Sequence, residues 1–304
     1  MALRKKNRRV ALVKGGDSSE KNVSLATGAQ CSSSLKDLGY DVFDINAGAN
    51  LIADLELIKP DVIFNALHGG SGEDGTIQGC FEWLKIPYTH SGVLASALAM
   101  NKSKSREIFK CCGLPVPPGR LIDSEQAYIS HPLKVPYVIK PNNEGSSLGV
   151  HIIRSEAEKI RKAFNLPKYV LVEEFIPGRE LTVSVMHKKP LAVTEVISPV
   201  WYDYDAKYTV GGSSHIVPAH IPPEVRDACL NYSIMAHNAL GCRGLTRTDF
   251  RWNDTLGIEG LFVLELNTQP GMTPTSLVPE QAKFCGISFS ELCEWILEDA
   301  SCSR

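Results

Sequence analysis

Between residues 8 and 90 the chain switches repeatedly between two hydrophobic periods, and this alternation restricts the fold more than any other feature. RVALVKGG, YDVFDI and DVIFNAL are apolar runs of strand length, whereas Cys31, Leu35 and Leu38, and then Ile77, Cys80, Phe81 and Leu84, recur at helical spacing. Strands that alternate with amphipathic helices bury their faces as a parallel sheet covered by those helices. The expectation is a doubly wound, parallel-sheet α/β unit over residues 1–95, with Ser18 and Ser19 placed to cap its first helix. The Gly-Gly turn after the first run lacks the G-x-G-x-x-G spacing of a dinucleotide fold, which argues against a nicotinamide cofactor.

Near residue 95 the texture changes. A helix with Asn101, Lys102, Lys104 and Arg106 leads to the turn-rich GLPVPPGR. The strand VPYVIK, a Gly/Ser loop, a charged helix near 155–164 and the strand YVLVEEF follow, an α+β arrangement over residues 96–180. The remainder, 181–304, opens with the strands LTVSVM and LAVTEVI and a long polar stretch from Trp201 to Pro218. A helix then places Val225, Cys229, Tyr232, Ala236 and Leu240 on one side, before the strands LTRTDFRW and LFVLELN. Ser288 with Glu291 three residues on is a capping box for the last helix.

Composition removes several function classes. A net charge of −2 exerts no pull toward nucleic acid or an anionic membrane. The basic run around Arg4 to Arg9 precedes VALV, which Lys14 and Gly15 interrupt at once; this is a solvated terminus rather than a leader peptide. No stretch has the length of a membrane span. The nine cysteines are scattered, without C-x-x-C or zinc spacing, as expected of reduced thiols in a cytoplasmic protein.

The chemistry concentrates in LFVLELN. Side chains alternate along a strand, so Glu265 and Asn267 share a face about 6.6 Å apart. Arg247 and Asp249 share a face of the preceding strand. Pairing the two would gather Asp249, Glu265 and Asn267, an all-oxygen set suited to Mg²⁺. An ion held by so few side chains completes its shell with water and substrate phosphates, so a phosphate cradle is needed. KPNNEGSSLGV supplies one: Lys140 ends an apolar strand, and Glu144, Gly145, Ser146, Ser147 and Gly149 follow in a loop whose N–H groups can converge on an anion.

These segments, with GGDSSEKNVSL, ALHGGSGEDGTIQG, PYTHSGVLASALAMNK, YDYDAKY, RTDF and LELNTQPGMTPTSLVP, make the chain resemble the D-alanine–D-alanine ligases of the ATP-grasp superfamily over residues 8–299. The resemblance implies a three-domain fold with ATP as co-substrate between the second and third domains. It implies that Asp249, Glu265 and Asn267 bind two Mg²⁺ ions, with Mn²⁺ as a substitute. Lys102, Lys140, Glu144, Ser147 and Lys207 would surround the phosphates. Glu173 would belong to the ATP site, in which the backbone of Glu174 and Ile176 would meet adenine, with Glu180 on the ribose. Glu20 and His68 would hold the first D-alanine, and Ser276 and Leu277 the carboxylate of the second. Glu20, Ser146 and Tyr208 would form a hydrogen-bonded group that closes the site, while Arg247 and the Gly271 backbone stabilise an oxyanion. Residues about 201–215 would act as a lid, and a homodimer is expected. Three positions depart from the family pattern: Asn22, Asn101 and Glu174. The implied product is D-alanyl-D-alanine for peptidoglycan synthesis; the alternatives are ligases that use D-lactate or D-serine second, a kinase, or a nucleotide-binding module without turnover. Tyr208 favours the amide, because related D-lactate-using ligases carry histidine in this loop. Histidines 90, 131, 151, 187, 215, 220 and 237 have no partner at a telling spacing.

Overall fold

The computed structural model describes residues 8–197 and 214–302. Its first sheet has the order β2-β1-β3 and is parallel throughout, built from β1 (Arg9–Gly15), β2 (Asp41–Ala47) and β3 (Val62–Asn65). Val10 to Val13 of β1 are wholly buried, as a central strand covered on both faces must be. Their alternation sorts them between two cores. Val10 and Leu12 pack with Cys31 and Leu35 of α1 (Lys21–Asp37), and Ala11 and Val13 with Leu51 and Leu55 of α2 (Leu51–Ile58) and Phe81 of α3 (Thr76–Leu84).

The second sheet, order β4-β7-β5-β6, is antiparallel: β4 (Gly119–Asp123), β5 (Tyr137–Pro141), β6 (His151–Ile153) and β7 (Tyr169–Glu174). The helix expected near 155–164 is absent; turns and a 3₁₀ turn at Lys162–Phe164 replace it. An isolated ten-residue helix is marginal, and competing contacts take its residues. Glu158 accepts from the Arg154 N–H, Phe164 stacks on His151 at 4.0 Å, and Ile160 is buried in the sheet's core.

The third sheet, order β10-β9-β8-β11-β12, is antiparallel: β8 (Arg179–Met186), β9 (Lys189–Ile197), β10 (Ser214–Ile216), β11 (Leu245–Trp252) and β12 (Leu261–Asn267). Val225, Cys229 and Ala236 of α7 (Pro223–Ala239) fill its core, together with Ala95 and Ala99 of α4 (Val93–Met100) and Phe109 of α5 (Lys102–Cys111). The remaining helices are α6 (Ser124–Ile129), α8 (Leu277–Phe284) and α9 (Phe289–Glu298). The capping box at Ser288 and Glu291 is formed, and α9 sends Leu292, Cys293 and Ile296 back into the core shared by β1 and α1. Of the residues about 201–215, only Ser214 and His215 are described, and both lie in β10 paired with β9. No disulfide forms among the described residues; Cys31, Cys229, Cys242 and Cys293 are buried, whereas Cys111, Cys112 and Cys285 are exposed, so packing accounts for only part of the set.

Candidate active site

The antiparallel register of β11 and β12 sets Asp249 opposite Glu265 and Arg247 opposite Asn267, so the two carboxylates face each other and Asn267 lies two residues further along β12. Arg247 grips Asp249 with two hydrogen bonds of 2.8 Å, and Thr182 donates to the same carboxylate at 2.6 Å. Asn267 accepts from the Gln269 N–H at 2.7 Å, which fixes its amide oxygen. Two carboxylates and an amide oxygen, only partly exposed and beside Lys102 and Arg247, are hard donors that fit Mg²⁺.

Lys102 opens α5 and its ammonium lies 3.1 Å from Glu265, while also donating to the Glu144 carbonyl. It therefore links the glycine-serine loop to β12. Asn101, one of the departures, is the N-cap of α5: its side chain accepts from the Lys104 N–H and from the Asn142 amide. A neutral amide accepts there as an aspartate would.

Behind Lys140 lies a buried ionic chain. Lys140 contacts one oxygen of Glu173, Arg106 holds the other at 2.7 Å, and the second Arg106 nitrogen donates to the Pro117 carbonyl. Glu173 and Arg106 are each 2% exposed, and burial lowers the Arg106 pKa, with Glu173 opposing. Arg106 lies four residues after Lys102, on the same helix face; that spacing was the available signal for a role in the site.

One cavity is lined by all eight described residues expected at ATP: Lys102, Lys140, Glu144, Ser147, Glu173, Glu174, Ile176 and Glu180. Asp249, Glu265 and Arg251 border it, and burial lowers the Arg251 pKa despite Glu180 at 3.6 Å. Of the other two departures, the Glu174 side chain is exposed at the end of β7 and borders this cavity, and Asn22 is exposed on α1.

A second cavity holds Glu20, His68, Glu73, Ser146, Arg247, Asn267, Gly271, Ser276 and Leu277. Gly145 and Glu265 line both cavities, so the two meet there. A Cβ on Gly145 would lie 2.9 Å from a Glu20 carboxylate oxygen, so a larger residue there would push that carboxylate aside. Ser146 and Ser147 both have positive φ, +50° and +57°, a conformation that non-glycine residues hold mainly where the surroundings impose it. Ser18 does not cap α1; its hydroxyl donates to the His68 carbonyl at 2.5 Å and accepts from the Glu20 N–H, tying those two residues together. Ser276 immediately precedes α8, whose first N–H groups have no partner within the helix, and the positive helix end suits a carboxylate.

The sequence reading missed Glu73 and Thr27. Both are buried, and they bracket His68: Nδ1 lies 3.1 Å from Glu73 and Nε2 3.0 Å from Thr27 Oγ1. Lys207 and Tyr208 lie outside the described residues. Of the histidines set aside, His237 is buried 2.9 Å from Thr246 Oγ1, and His215 contacts Glu280 at 3.0 Å.

Residues 44–91 match the family described as D-ala D-ala ligase N-terminus, and residues 109–298 match D-ala D-ala ligase C-terminus. A D-alanine--D-alanine ligase of Cereibacter sphaeroides is 55% identical over 297 residues, 97% of each chain. The chain belongs to the D-alanine–D-alanine ligase family. A D-alanine–D-alanine ligase of Ruegeria pomeroyi is 53% identical over 299 residues, 98% of each chain. Among solved structures, a D-alanine–D-alanine ligase from Bacillus anthracis complexed with ATP superposes with a TM-score of 0.82 at 29% identity, covering 96% of this chain and 97% of that one.

Proposed function

We propose that this chain joins two D-alanine molecules to D-alanyl-D-alanine with conversion of ATP to ADP and phosphate, and that the joined cavities perform both steps. The observation that carries the reading is their meeting at Gly145 and Glu265, because an acyl phosphate must form where a nucleotide cavity opens onto an amino-acid cavity. In the first step a carboxylate oxygen of D-alanine attacks the terminal phosphorus and ADP leaves. In the second, the amine of another D-alanine attacks the acyl carbon, its surplus proton is lost, and phosphate departs.

Phosphoryl transfer demands positioning and charge neutralisation more than covalent participation, and Lys102 and Lys140 suit that demand, with Lys207 assigned on the resemblance alone. Asp249, Glu265 and Asn267 would hold two Mg²⁺ ions, or Mn²⁺ in their place. Bound there, the ions would neutralise phosphate charge. Glu20 is assigned to the first ammonium and His68 to the same amino acid. Arg247 and the Gly271 N–H are donors for the tetrahedral oxyanion; turning Arg247 from Asp249 to that oxygen is part of the proposal. Ser276 and the Leu277 N–H would seat the second carboxylate. Ser146, Glu20 and Tyr208 complete the group that shields the acyl phosphate from water.

The proposal extends to three units, 1–95, 96–180 and 181–304, which hold the first sheet, the second sheet and nearly all of the third, and to a cytoplasmic homodimer. Among the described residues no helix is long and apolar enough to cross a membrane, and Trp83, 87% exposed, is apolar surface that a second copy could cover. Sedimentation of wild type and Trp83→Asp tests the dimer. The activity is tested by measuring ADP and phosphate while D-amino acids are added singly. D-alanine-dependent release of both, with dipeptide formed, is expected. ADP release with a stable phosphorylated product, or none, contradicts the proposal.

A further inference from the structure

Glu20, His68 and Glu73 each bring a ligand atom within 4.8 Å of the other two, and all three are buried. The set differs from the oxygen donors of β11 and β12 because it contains an imidazole, which shifts preference from Mg²⁺ toward borderline ions such as Zn²⁺. Three protein ligands with a fourth position open to a cavity is also the usual arrangement of an accessible zinc site. The geometry is compatible. Ligands about 2.0–2.1 Å from a tetrahedral centre lie roughly 3.3 Å apart, and His68 Nδ1 and Glu73 Oε1 are separated by 3.1 Å.

A second observation concerns the far side of the ring. His68 Nε2 is 3.0 Å from Thr27 Oγ1, which also accepts from the Met272 N–H. A metal-ligating imidazole typically donates its other N–H to such an oxygen, and this fixes the tautomer. With Nε2–H given to Thr27, the Nδ1 lone pair confronts the Glu73 carboxylate, and two acceptors at that distance call for a cation between them. The rival arrangement has Thr27 donating to Nε2 and Nδ1–H donating to Glu73, which satisfies the ring without a metal.

We propose that Glu20, His68 and Glu73 form a binding site for a borderline divalent cation, represented by Zn²⁺, and that this ion and the ammonium of the first amino acid exclude each other. The exclusion rests on the assignment of that ammonium to Glu20; the metal site does not. Zinc would then inhibit competitively with the first D-alanine and not with ATP.

The test is equilibrium dialysis of Zn²⁺ against the full chain. Cys111→Ser, Cys112→Ser and Cys285→Ser remove the exposed thiols, and excess Mg²⁺ with a non-hydrolysable ATP analogue occupies the Asp249, Glu265 and Asn267 group. One Zn²⁺ should bind per chain, at least ~10-fold more weakly in Glu73→Gln and in His68→Asn. D-alanine should weaken binding to the starting protein more than L-alanine does; both chelate zinc equally in solution, so L-alanine is the blank. Binding that is absent, or equally tight in both variants, overturns the metal site. Loss in the variants without a D-over-L difference leaves the metal site standing and overturns the exclusion, and with it the placement of the ammonium at Glu20. If the variants fail to fold, the D-against-L comparison on the starting protein decides.

Discussion

Arg106→Met is the most informative single change outside the residues assigned to substrate. The guanidinium is buried, holds Glu173 at 2.7 Å and donates to Pro117, while Lys140 takes the other Glu173 oxygen. Methionine fills comparable volume but leaves Glu173 with one partner in a dry place. Breaking a buried pair from one side costs about 3–5 kcal/mol, and the orphaned Pro117 carbonyl adds about 1–3 kcal/mol if it finds no water. Because the two losses share one cluster they do not add fully, so the expected destabilisation is about 4 kcal/mol, a large part of a typical total of about 5–15 kcal/mol. Urea denaturation followed by circular dichroism measures it. The functional consequence follows from the same chain: without Arg106, Glu173 pairs with Lys140 alone and neutralises the charge meant for phosphate. The KM for ATP should rise more than tenfold, with the KM for D-alanine changed far less. Arg106→Lys, which keeps the charge but loses the fork, should fall between. A stability loss below ~1 kcal/mol with an unchanged KM for ATP would refute the argument.

Glu265→Gln should abolish turnover with an unchanged circular dichroism spectrum, and Asn267→Ala should do less damage; near-normal rates for Glu265→Gln at ordinary Mg²⁺ would sink the metal assignment. Burial, with His187 nearby and only partly offset by Asp299, lowers the His237 pKa from 6.5 to about 4. Between those values the unfolded chain takes up a proton that the folded one refuses. Stability should therefore fall by about 3 kcal/mol in all as pH drops from 6.5 to 4, with no contribution above 6.5. In His237→Gln that acid-side slope should be smaller, measured by urea denaturation across this range; an unchanged slope would show that His237 is not its source. Tyr208→His should gain ester product from D-lactate as pH falls, since histidine becomes cationic below about 6.5 and disfavours an ammonium nucleophile. Wild type that already makes ester as readily as amide at neutral pH would refute the role given to Tyr208.

What could be read in the sequence was whatever repeats at short range. Period-two alternation gave the faces of β11 and β12, and therefore the meeting of Asp249 and Glu265 in register. Helical spacing gave the buried sides of α1, α7 and α9. Glu73 could not be read, because it sits among glycines in GGSGEDG and acquires its meaning only when the loop folds back on His68. Arg106 reads only as one of several charges on a basic helix, and its role depends on β7 placing Glu173 against it. The segment 155–164 shows the opposite failure: local pattern favoured a helix, and stacking of Phe164 on His151 with burial of Ile160 prevailed. Tertiary contacts can override propensity wherever a segment is too short to form a helix alone.

The central claim, that an acyl phosphate forms where the two cavities join, is tested most directly by oxygen transfer. D-alanine labelled with ¹⁸O at both carboxylate oxygens is turned over with Mg·ATP, and the released phosphate and dipeptide are examined by mass spectrometry. The oxygen that attacks phosphorus leaves with the phosphate when the amine attacks carbon. The account therefore requires a single ¹⁸O in each released phosphate and a single ¹⁸O remaining at the new amide carbonyl. Dipeptide that forms while the phosphate stays unlabelled would contradict it.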